Sequence, residues 1–223
     1  MDLSNYIPHP NFYRLEPEQG VAASEKLLSE LSCRRTIRIY DKKPVPDKII
    51  ENAIKAAATA PSGANQQPWY FAVIKDHELK KKVRQLAEAC ETEFYDKRAN
   101  ETFKKALEPF GTNDEKQHLE DASHIIAVFT QAKDIKEDGS EDPIYYGIKS
   151  TSIAVGMLLT SLHLAGVGTL THTPSPMNFL NDLLGVSKNY KGQFLIMAGY
   201  PKEPILVPAI ERKKFNEVCK ICD

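Results

Sequence analysis

Four stretches of the chain are hydrophobic over the length of a β-strand, and longer polar or mixed segments separate them. They are rich in β-branched and aromatic residues, which favour the extended conformation. The pattern therefore predicts buried strands over residues 69–74, 124–130, 167–171 and 193–201.

The segments between these strands carry the apolar spacing of helices. Asp47 is of a residue type that caps helix N-termini, and the charged segment 77–108 has high helix propensity. The segments 1–19, 133–142 and 202–223 are predicted as irregular. With no repeat or flexible linker, the whole chain is predicted to form one α+β domain. The predicted helices are residues 22–32, 47–60, 77–108, 114–121, 144–165 and 179–184.

Residues 150–181 contain no Asp, Glu, Lys or Arg and therefore have to be considered as a membrane span. A spanning helix needs roughly 20 predominantly apolar residues. Here Gly156, Thr160 and His163 interrupt the apolar run, so the pattern indicates a buried helix that leads into a short strand. Residues 1–19 lack the features of a secretory signal, and we expect a soluble cytoplasmic protein without a membrane partner.

The charge balance and the cysteine spacing exclude further classes of function. With 29 Lys and Arg against 30 Asp and Glu, the chain lacks the basic excess that is usual in nucleic-acid-binding domains. The 4 cysteines do not form the pattern of a disulfide framework, and nothing completes a metal site around Cys219 and Cys222. We therefore expect no nucleic-acid partner and no bound metal.

Three short motifs could carry chemistry. Arg34, Arg35 and Arg38 could surround a phosphate with bidentate contacts, although such a cluster can equally be a solvated basic patch. The loop 60–69 is rich in small residues, so a flat ligand could approach its backbone, or the loop could simply connect a helix to a strand. The hydroxyl-rich segment 171–175 could bond a heterocycle or merely satisfy a turn.

The motifs of several other enzyme classes are absent from the sequence. No G-x-S-x-G pattern surrounds Ser62, which disfavours a serine hydrolase. The pair Gly166 and Gly168 lacks a third glycine and precedes a strand instead of following one, so a Rossmann nicotinamide motif is not supported. The sequence also has no P-loop, and its 6 histidines lack the spacing of metal ligands.

Together, the arginine cluster, the loop motif APSGANQQPW, the segment THTP and the basic residues near the chain's end resemble the flavin-dependent nitroreductase superfamily, and within it the deiodinase branch. The resemblance covers residues 34–214. It implies a nitroreductase fold with a central mixed, mostly antiparallel sheet flanked by helices, and FMN as the cofactor. It also implies an intertwined homodimer in which a C-terminal extension, residues 202–223, reaches the partner subunit.

The resemblance assigns cofactor contacts to positions that match the family's motifs. The clustered arginines would hold the FMN phosphate and ribityl chain, and Arg212 would add a further phosphate contact. Thr173 would place its hydroxyl against flavin N5, with Thr171 beside it. The complete set implied to contact FMN is Arg34, Arg35, Thr36, Arg38, Ser62, Gly63, Thr171, Thr173 and Arg212.

The resemblance also implies an active-site lid over residues 88–118. The family's lid grips an amino-acid zwitterion with a Glu, a Tyr and a Lys, and Glu91, Tyr95 and Lys116 stand at the same intervals in this chain. In so charged a segment the match could also be accidental, with a solvated helix in place of the lid. The Ala64 backbone N–H would bind the substrate's phenolate oxygen, and Ala64 and Thr173 are the implied catalytic residues.

The implied activity is FMN-dependent reductive dehalogenation, in which mono- or diiodotyrosine gives tyrosine and iodide through one-electron flavin steps. Two alternatives remain open. One is a general FMN nitroreductase or quinone reductase that transfers hydride, and the other is a flavin-binding protein without catalysis. Because the sequence has no nicotinamide motif, a separate NAD(P)H-dependent flavin reductase could serve as the electron donor.

Overall fold

The computed structural model describes residues 3–9 and 14–222 and divides the chain into two units. In the sequence, the boundary between these units lies between Arg34 and Arg35. The expectation of one domain over the whole chain stays a prediction.

The first unit contains one helix, α1 (Pro17–Ser32), among its described residues. The proline occupies the first turn, where its fixed φ suits a helix, and Glu16 and Gln19 form a capping box. These signals start the helix before the predicted residue 22. Part of the predicted irregular segment 1–19, namely residues 1, 2 and 10–13, lies outside the described residues.

The second unit contains the sheet and the remaining helices. The strands are β1 (Trp69–Ile74), β2 (His124–Gln131), β3 (Lys133–Ile135), β4 (Glu141–Pro143), β5 (Gly168–His172) and β6 (Tyr190–Gly199). The helices are α2 (Asp47–Ala57), α3 (His77–Lys97), α4 (Glu101–Leu107), α5 (His118–Asp121), α6 (Gly147–Leu164), α7 (Phe179–Leu184) and α8 (Phe215–Val218). The four predicted strands are confirmed as β1, β2, β5 and β6.

The four strands form an antiparallel sheet in the order β1-β2-β6-β5. Alternate side chains of β2 point to opposite faces of this sheet. Ile126 and Val128 pack with α2 and α6, whereas Ile125, Ala127 and Phe129 pack with α3, α5 and α7. Because helices cover both faces, β2 is apolar at nearly every position instead of alternating with polar residues.

Helix α6 and strand β5 occupy most of the charge-free span 150–181. Ala154, Leu158 and Leu162 are fully buried in the cluster that includes α2. The hydroxyl of Thr130 donates a 2.8 Å hydrogen bond to the hydroxyl of Thr151, which satisfies both polar groups in the core. No helix in the described part of the chain is long and apolar enough to cross a membrane.

The prediction of one helix over residues 77–108 is wrong, because a cap divides this charged segment. Helix α3 ends at Lys97. The side chain of Asn100 then accepts a hydrogen bond from the N–H of Phe103 at 2.8 Å and starts α4. One continuous run of helix-forming residues can therefore form two separate helices.

Two further predictions need correction. The segment 133–142 is not irregular but forms most of the hairpin β3–β4, whose turn is closed by Asp138 accepting a 2.9 Å hydrogen bond from the N–H of Ser140. Its strands are too short for an apolar alternation to appear in the sequence. Helix α5 covers only the end of the predicted helix 114–121, and α8 adds one short helix to the tail.

The arginine motif leads into a segment that lies beside the edge strand β5. Thr36 forms a parallel bridge with Thr169, and the N–H of Ile37 donates to the carbonyl of Thr169 at 2.9 Å. This bridge adds a parallel pairing to the antiparallel sheet. The pairing positions Thr36, which lies between Arg35 and Arg38 in the sequence, beside the strand that leads to Thr171 and Thr173.

Asn181 provides a test of how α7 is joined to β6. Its amide nitrogen donates to the carbonyls of Ser187 at 2.9 Å and Tyr190 at 2.8 Å, and the residue is only 5% exposed. We expect Asn181→Ala to lower the free energy of unfolding by about 2 kcal/mol, because buried carbonyls lose their donor. Denaturant unfolding measures this change.

The matched control for this test is Asn178→Ala. Asn178 is exposed, and its side chain makes no capping hydrogen bond at the start of α7. We expect its replacement to change the free energy of unfolding by less than about 0.5 kcal/mol. Equal losses in the two variants would contradict the role given to Asn181.

Candidate active site

Exposed hydroxyl groups collect where β5 ends. Thr171 pairs through its backbone with Ile196 of β6, and Thr173 follows the last residue of the strand; both threonines are exposed. Thr36 bridges Thr169, two residues or roughly 7 Å along the strand from Thr171. Hydroxyl groups both donate and accept hydrogen bonds, so this edge can bind a polar heterocycle.

Three of the predicted arginines lie in the second unit, and two of them, Arg35 and Arg38, contact different elements of it. Arg35 donates a hydrogen bond from Nη2 to the carbonyl of Pro208 in the tail. The guanidinium of Arg38 lies 5.9 Å from the centre of the Phe110 ring. Burial lowers the pKa of Arg38, an effect that Tyr40 partly opposes, but a guanidinium remains charged in proteins.

The remaining two predicted arginines belong to different units of the chain. Arg34 is half-buried and belongs to the first unit, and Arg212 is exposed in the tail after Pro208. For these residues, participation in one phosphate site stays a prediction.

The loop before β1 has an uncommon backbone conformation. Ala64, Asn65 and Gln67 have φ values of 49°, 53° and 48°, which lie in the left-handed region. This region costs a non-glycine residue roughly 1 kcal/mol. The loop is held by Ser62, whose carbonyl accepts from the N–H of Asn65 at 3.1 Å and whose hydroxyl accepts from the N–H of Gln67 at 3.0 Å. Neither bond uses the Ala64 N–H.

Gln66 fixes this loop to the segment that precedes α6, a role that was not predicted from the sequence. Its amide nitrogen donates to the carbonyl of Pro143 at 3.0 Å, and its amide oxygen accepts from the N–H of Tyr145 at 2.7 Å. A Cβ on Gly63 would lie 2.6 Å from the Tyr145 carbonyl oxygen, so only glycine fits there. The partners are distant in sequence, and no local pattern could have identified them.

The three residues predicted for the lid come together. Nζ of Lys116 lies 3.3 Å from Oε2 of Glu91 and 5.9 Å from the centre of the Tyr95 ring. Lys116 is 4% exposed, and it also donates to the carbonyl of Asn113. The result is a pair of opposite charges beside a phenol, in which the Lys116 side chain is buried and the Glu91 side chain is 16% exposed.

Neighbouring polar contacts fix the backbone of this pair. The carboxylate of Glu88 accepts from the Lys116 N–H at 2.6 Å and from Nε of Arg84 at 2.7 Å. The hydroxyl of Thr92 donates to Asp114 at 3.1 Å. These contacts join α3 to the segment before α5. They therefore fix the backbone positions from which the side chains of Glu91 and Lys116 extend.

Burial and charge act in opposite directions on the acid in this pair. Burial raises the pKa of Glu91, but the hydrogen bond from His172 and the charge of Lys116 outweigh it and place the pKa below the ordinary 4.5. The pKa of Tyr95 is raised, first by burial and then by the nearby carboxylates of Glu91 and Asp114. The site therefore presents a carboxylate, an ammonium and a neutral phenol at neutral pH.

His172 is the functional candidate to which sequence reasoning assigned no role. Its Nε2 lies 3.0 Å from Oε1 of Glu91, and its side chain is 10% exposed. The only signal in the sequence was its position between Thr171 and Thr173. Its partner lies 81 residues earlier in the chain, beyond the reach of any local pattern.

His118 lies beside this cluster as a neutral ring. Its centroid is 6.1 Å from that of His172, at an interplanar angle of 73°. Burial, followed by the charges of His172, Lys116, Arg38 and Arg84, lowers the pKa of His118 to about 3. The imidazole therefore stays uncharged over the physiological pH range.

The remaining predicted residues are not in direct contact with each other. Among the described residues, no hydrogen bond joins Ser62, Gly63 or Ala64 to Thr171 or Thr173. The loop before β1 and the end of β5 have in common only that both offer hydrogen-bond donors.

The donor groups nevertheless fit FMN. Arg35 and Arg38 offer guanidinium donors, which match a phosphate dianion. Thr171 and Thr173 offer hydroxyl groups, and the Ala64 N–H offers a backbone donor, which match the polar atoms of a flavin ring. These assignments stay predictions.

His118 makes stability depend on pH in a defined direction. With its pKa lowered from 6.5 to about 3, the unfolded chain binds a proton that the folded chain excludes between these values. The free energy of unfolding should therefore fall as the pH decreases from about 7 to about 4. We expect His118→Phe to fall less steeply in urea titrations over this range. An identical slope in the variant would contradict the lowered pKa.

The family model and curated relatives agree about where the chain belongs. Residues 31–200 match the Nitroreductase family model. The iodotyrosine deiodinase of Haliscomenobacter hydrossis is 41% identical over 208 residues, which cover 93% of each chain. The iodotyrosine deiodinase of Hydra vulgaris is 38% identical over 216 residues, which cover 96% of this chain and 79% of that one.

Solved structures share this fold. A crystal structure of oxidized iodotyrosine deiodinase bound to FMN and 3-iodo-L-tyrosine superposes with a TM-score of 0.74 at 26% identity, covering 84% of this chain and 95% of that chain. A BluB-like flavoprotein from Clostridium difficile 630 superposes with a TM-score of 0.66 at 22% identity, covering 88% and 99%, which concerns the fold alone. The predicted nitroreductase fold is confirmed, and the chain belongs to the nitroreductase family, in its group of iodotyrosine deiodinases.

Proposed function

We propose that this protein is an FMN-dependent oxidoreductase that removes iodide reductively from iodotyrosines. The observation that carries the proposal is the buried pair of Glu91 and Lys116 beside Tyr95. An enclosed carboxylate and ammonium are complementary to the two charges of an amino-acid zwitterion. The family relationship supports both the flavin and the iodotyrosine.

Substrate binding is an exchange of ion pairs within the lid, residues 88–118. Glu91 takes the substrate ammonium, while Lys116 and Tyr95 take the carboxylate. Because the zwitterion has no net charge, both protein charges remain compensated after the exchange. Breaking a buried pair without such a replacement would leave an isolated charge, which costs several kcal/mol.

The flavin-side residues hold the cofactor and orient the ring of the substrate. The four predicted arginines would bind the phosphate end of FMN, and Ser62 and Gly63 would line its ring. Thr173 would donate its hydroxyl to the flavin ring at N5, with Thr171 beside it. When bound, reduced FMN supplies the electrons for the reaction.

The phenol end of the substrate lies at the loop 62–67. An ortho iodine lowers the pKa of the phenol, so the substrate binds as a phenolate, to which the Ala64 N–H donates. In the overall reaction the carbon–iodine bond breaks, the substrate takes up two electrons and one proton, and iodide and tyrosine leave. Closing the lid over the ring excludes water from this step.

The alternative of a general nitroreductase or quinone reductase explains less of the site. Such substrates carry no amino-acid group and need no buried pair of opposite charges. Burying Glu91 and Lys116 costs solvation energy that only a charged ligand or a structural role offsets. The position of Tyr95 beside Lys116 favours a charged ligand over a purely structural role for the pair.

Turnover tests this proposal directly. FMN-loaded protein is reduced with dithionite under anaerobic conditions and mixed with diiodotyrosine, and iodide is measured. We expect iodide release in proportion to the substrate consumed. Protein that binds FMN but releases no iodide would contradict the proposed activity. Turnover of a nitroaromatic would then favour the general nitroreductase, and inertness towards both substrates would favour a flavin-binding protein without catalysis.

The lid residues are tested by comparing two ligands. We expect Lys116→Met to weaken 3-iodotyrosine binding about 10- to 100-fold, because a charge-assisted contact is lost, and to leave 2-iodophenol binding unchanged. Flavin fluorescence measures both affinities. The control is Lys104→Met, which removes an exposed lysine of α4 that pairs with Glu101 at 3.3 Å. Equal losses for both ligands would contradict the zwitterion contact.

We further propose that the enzyme is a homodimer, located in the cytoplasm, that receives electrons from NAD(P)H through a separate flavin reductase. Large apolar side chains support the dimer, because they are exposed on α6 and in the tail 202–223. They include Ile148 at 60%, Ile153 at 47%, Leu206 at 70%, Phe215 at 68% and Ile221 at 73% exposure. An exposed apolar surface of this kind is typical of an interaction site.

Sedimentation equilibrium tests the assembly. We expect the full chain to have twice the mass of one subunit at micromolar concentration. A chain that ends at Glu203 lacks most of the exposed apolar residues of the tail and should dissociate more readily. An intact chain that sediments as a monomer would contradict the dimer.

A further inference from the structure

A cavity outside the proposed active site lies between the segment 39–44, the start of α3 and the segment that joins α5 to β2. Its volume is about 750 Å³. Cavities of roughly 300–1,000 Å³ are usual for small-molecule sites. None of the residues assigned to FMN or to the zwitterion lines this cavity, so a ligand could occupy it in addition to the cofactor.

A buried ammonium group belongs to the wall of this cavity. Lys80 of α3 is only 8% exposed, and its Nζ donates to the carbonyl of Ala122 at 2.6 Å. An ammonium group has three donors, so two remain after this bond. No carboxylate of the described residues forms an ion pair with Lys80. Because burying a charge without a counter-charge is costly, Lys80 is a favourable contact for an anion.

The carboxylates in and beside the cavity are engaged with other groups. Burial lowers the pKa of Lys80, and the charges of Asp121, Glu120 and Asp76 oppose this effect. Yet each of these acids, like Asp41 in the wall, accepts a hydrogen bond of 2.7–3.1 Å from another residue. The donors are the N–H of Lys43 for Asp41, the N–H of Leu79 for Asp76, Arg84 for Glu120 and Gln117 for Asp121.

Two further lysines line the cavity, and backbone pairing holds them near each other. The N–H of Asp41 donates to the carbonyl of Tyr200 at 2.8 Å, and the N–H of Lys202 donates to the carbonyl of Ile39 at 3.1 Å. This pairing fixes the backbones of Lys42 and Lys202 at the same wall. Both lysines are exposed, and neither has an ion-pair partner in the part of the chain that the structure describes.

Three ammonium groups around one cavity favour a phosphate group as the ligand's charged end. Lysine binds phosphate as a point charge, and the phosphate oxygens can accept from more than one ammonium group. Inorganic phosphate would fill only a small part of the cavity, whose wall also contains the apolar side chains of Ile39 and Pro44. A molecule with a phosphate end and an uncharged organic body would contact both parts.

We propose that this cavity is a second ligand site, which binds an organic phosphate of about nucleotide size through Lys42, Lys80 and Lys202. The phosphate groups lie at the three ammonium groups, and the organic body lies against Ile39 and Pro44. Binding at this site does not depend on the proposed activity towards iodotyrosines.

Calorimetric titration of ADP into the FMN-loaded protein tests this site. Saturation with FMN prevents ADP from binding at the cofactor's own phosphate contacts. We expect one ADP per subunit, with a dissociation constant below about 1 mM that rises with salt because exposed charges are screened. Adenosine, which has no phosphate, should not bind measurably. Pyrophosphate, which has no organic body, should bind more weakly than ADP.

Removing the charges of the cavity should weaken ADP binding. We expect Lys80→Met, and separately the double variant Lys42→Gln with Lys202→Gln, to weaken it at least about tenfold, because charge-assisted contacts are lost. The matched control is Lys81→Met, which removes an exposed lysine next to Lys80 on α3 that does not line the cavity. The double variant changes only exposed side chains, so it keeps the test valid if Lys80→Met does not fold.

Several results would overturn the proposal. ADP that does not bind, or that releases FMN as measured by flavin absorbance, would exclude a second site. Adenosine or pyrophosphate that binds as tightly as ADP would contradict an organic phosphate as the ligand. Equal affinities in the wild type and the cavity variants, or an equal loss in Lys81→Met, would exclude the three lysines as the contacts. If ADP binds as expected but no iodide is released from diiodotyrosine, the proposed function fails and the second site stands.

Discussion

Burial of the sheet on both faces is the constraint on which the rest of the structure depends. Alternate residues of β2 pack against two different helix layers, so neither face is available for a ligand. Polar chemistry is therefore confined to the ends and edges of the strands. The bridge of Thr36 with β5, the threonines at the end of β5 and the loop before β1 all lie at such positions.

The proposed lid places two opposite charges together with little exposure to water. Glu91 and Lys116 compensate each other, and Glu88, Arg84, Thr92 and Asp114 hold their backbones. A buried ion pair contributes little to stability, because the cost of desolvation offsets the attraction. In the proposed function its value lies in recognition, since only a ligand with both charges could replace it without leaving one of them alone.

How well a structural feature could be predicted from the sequence depended on how far apart in the chain its residues lie. Strand 69–74 was predicted to the residue, because a strand buried on both sides is a local apolar run. The spacing of Glu91, Tyr95 and Lys116 suggested a cluster only with the help of a family resemblance. The contacts of Gln66 and His172 were not predicted, because their partners are distant in the chain. The break at Asn100 was not predicted either, because the helix cap there competes with strong helix propensity on both sides.

The left-handed backbone of Ala64, Asn65 and Gln67 limits how this loop can change during evolution. β-Branched side chains are disfavoured at such positions, whereas glycine, asparagine and aspartate are tolerated. Gly63 allows no side chain at all, because the Tyr145 carbonyl occupies the space. A library randomised over this loop would therefore return a narrow set of small and amide residues, and new substrate preferences would have to arise in the lid, where helical positions accept most side chains.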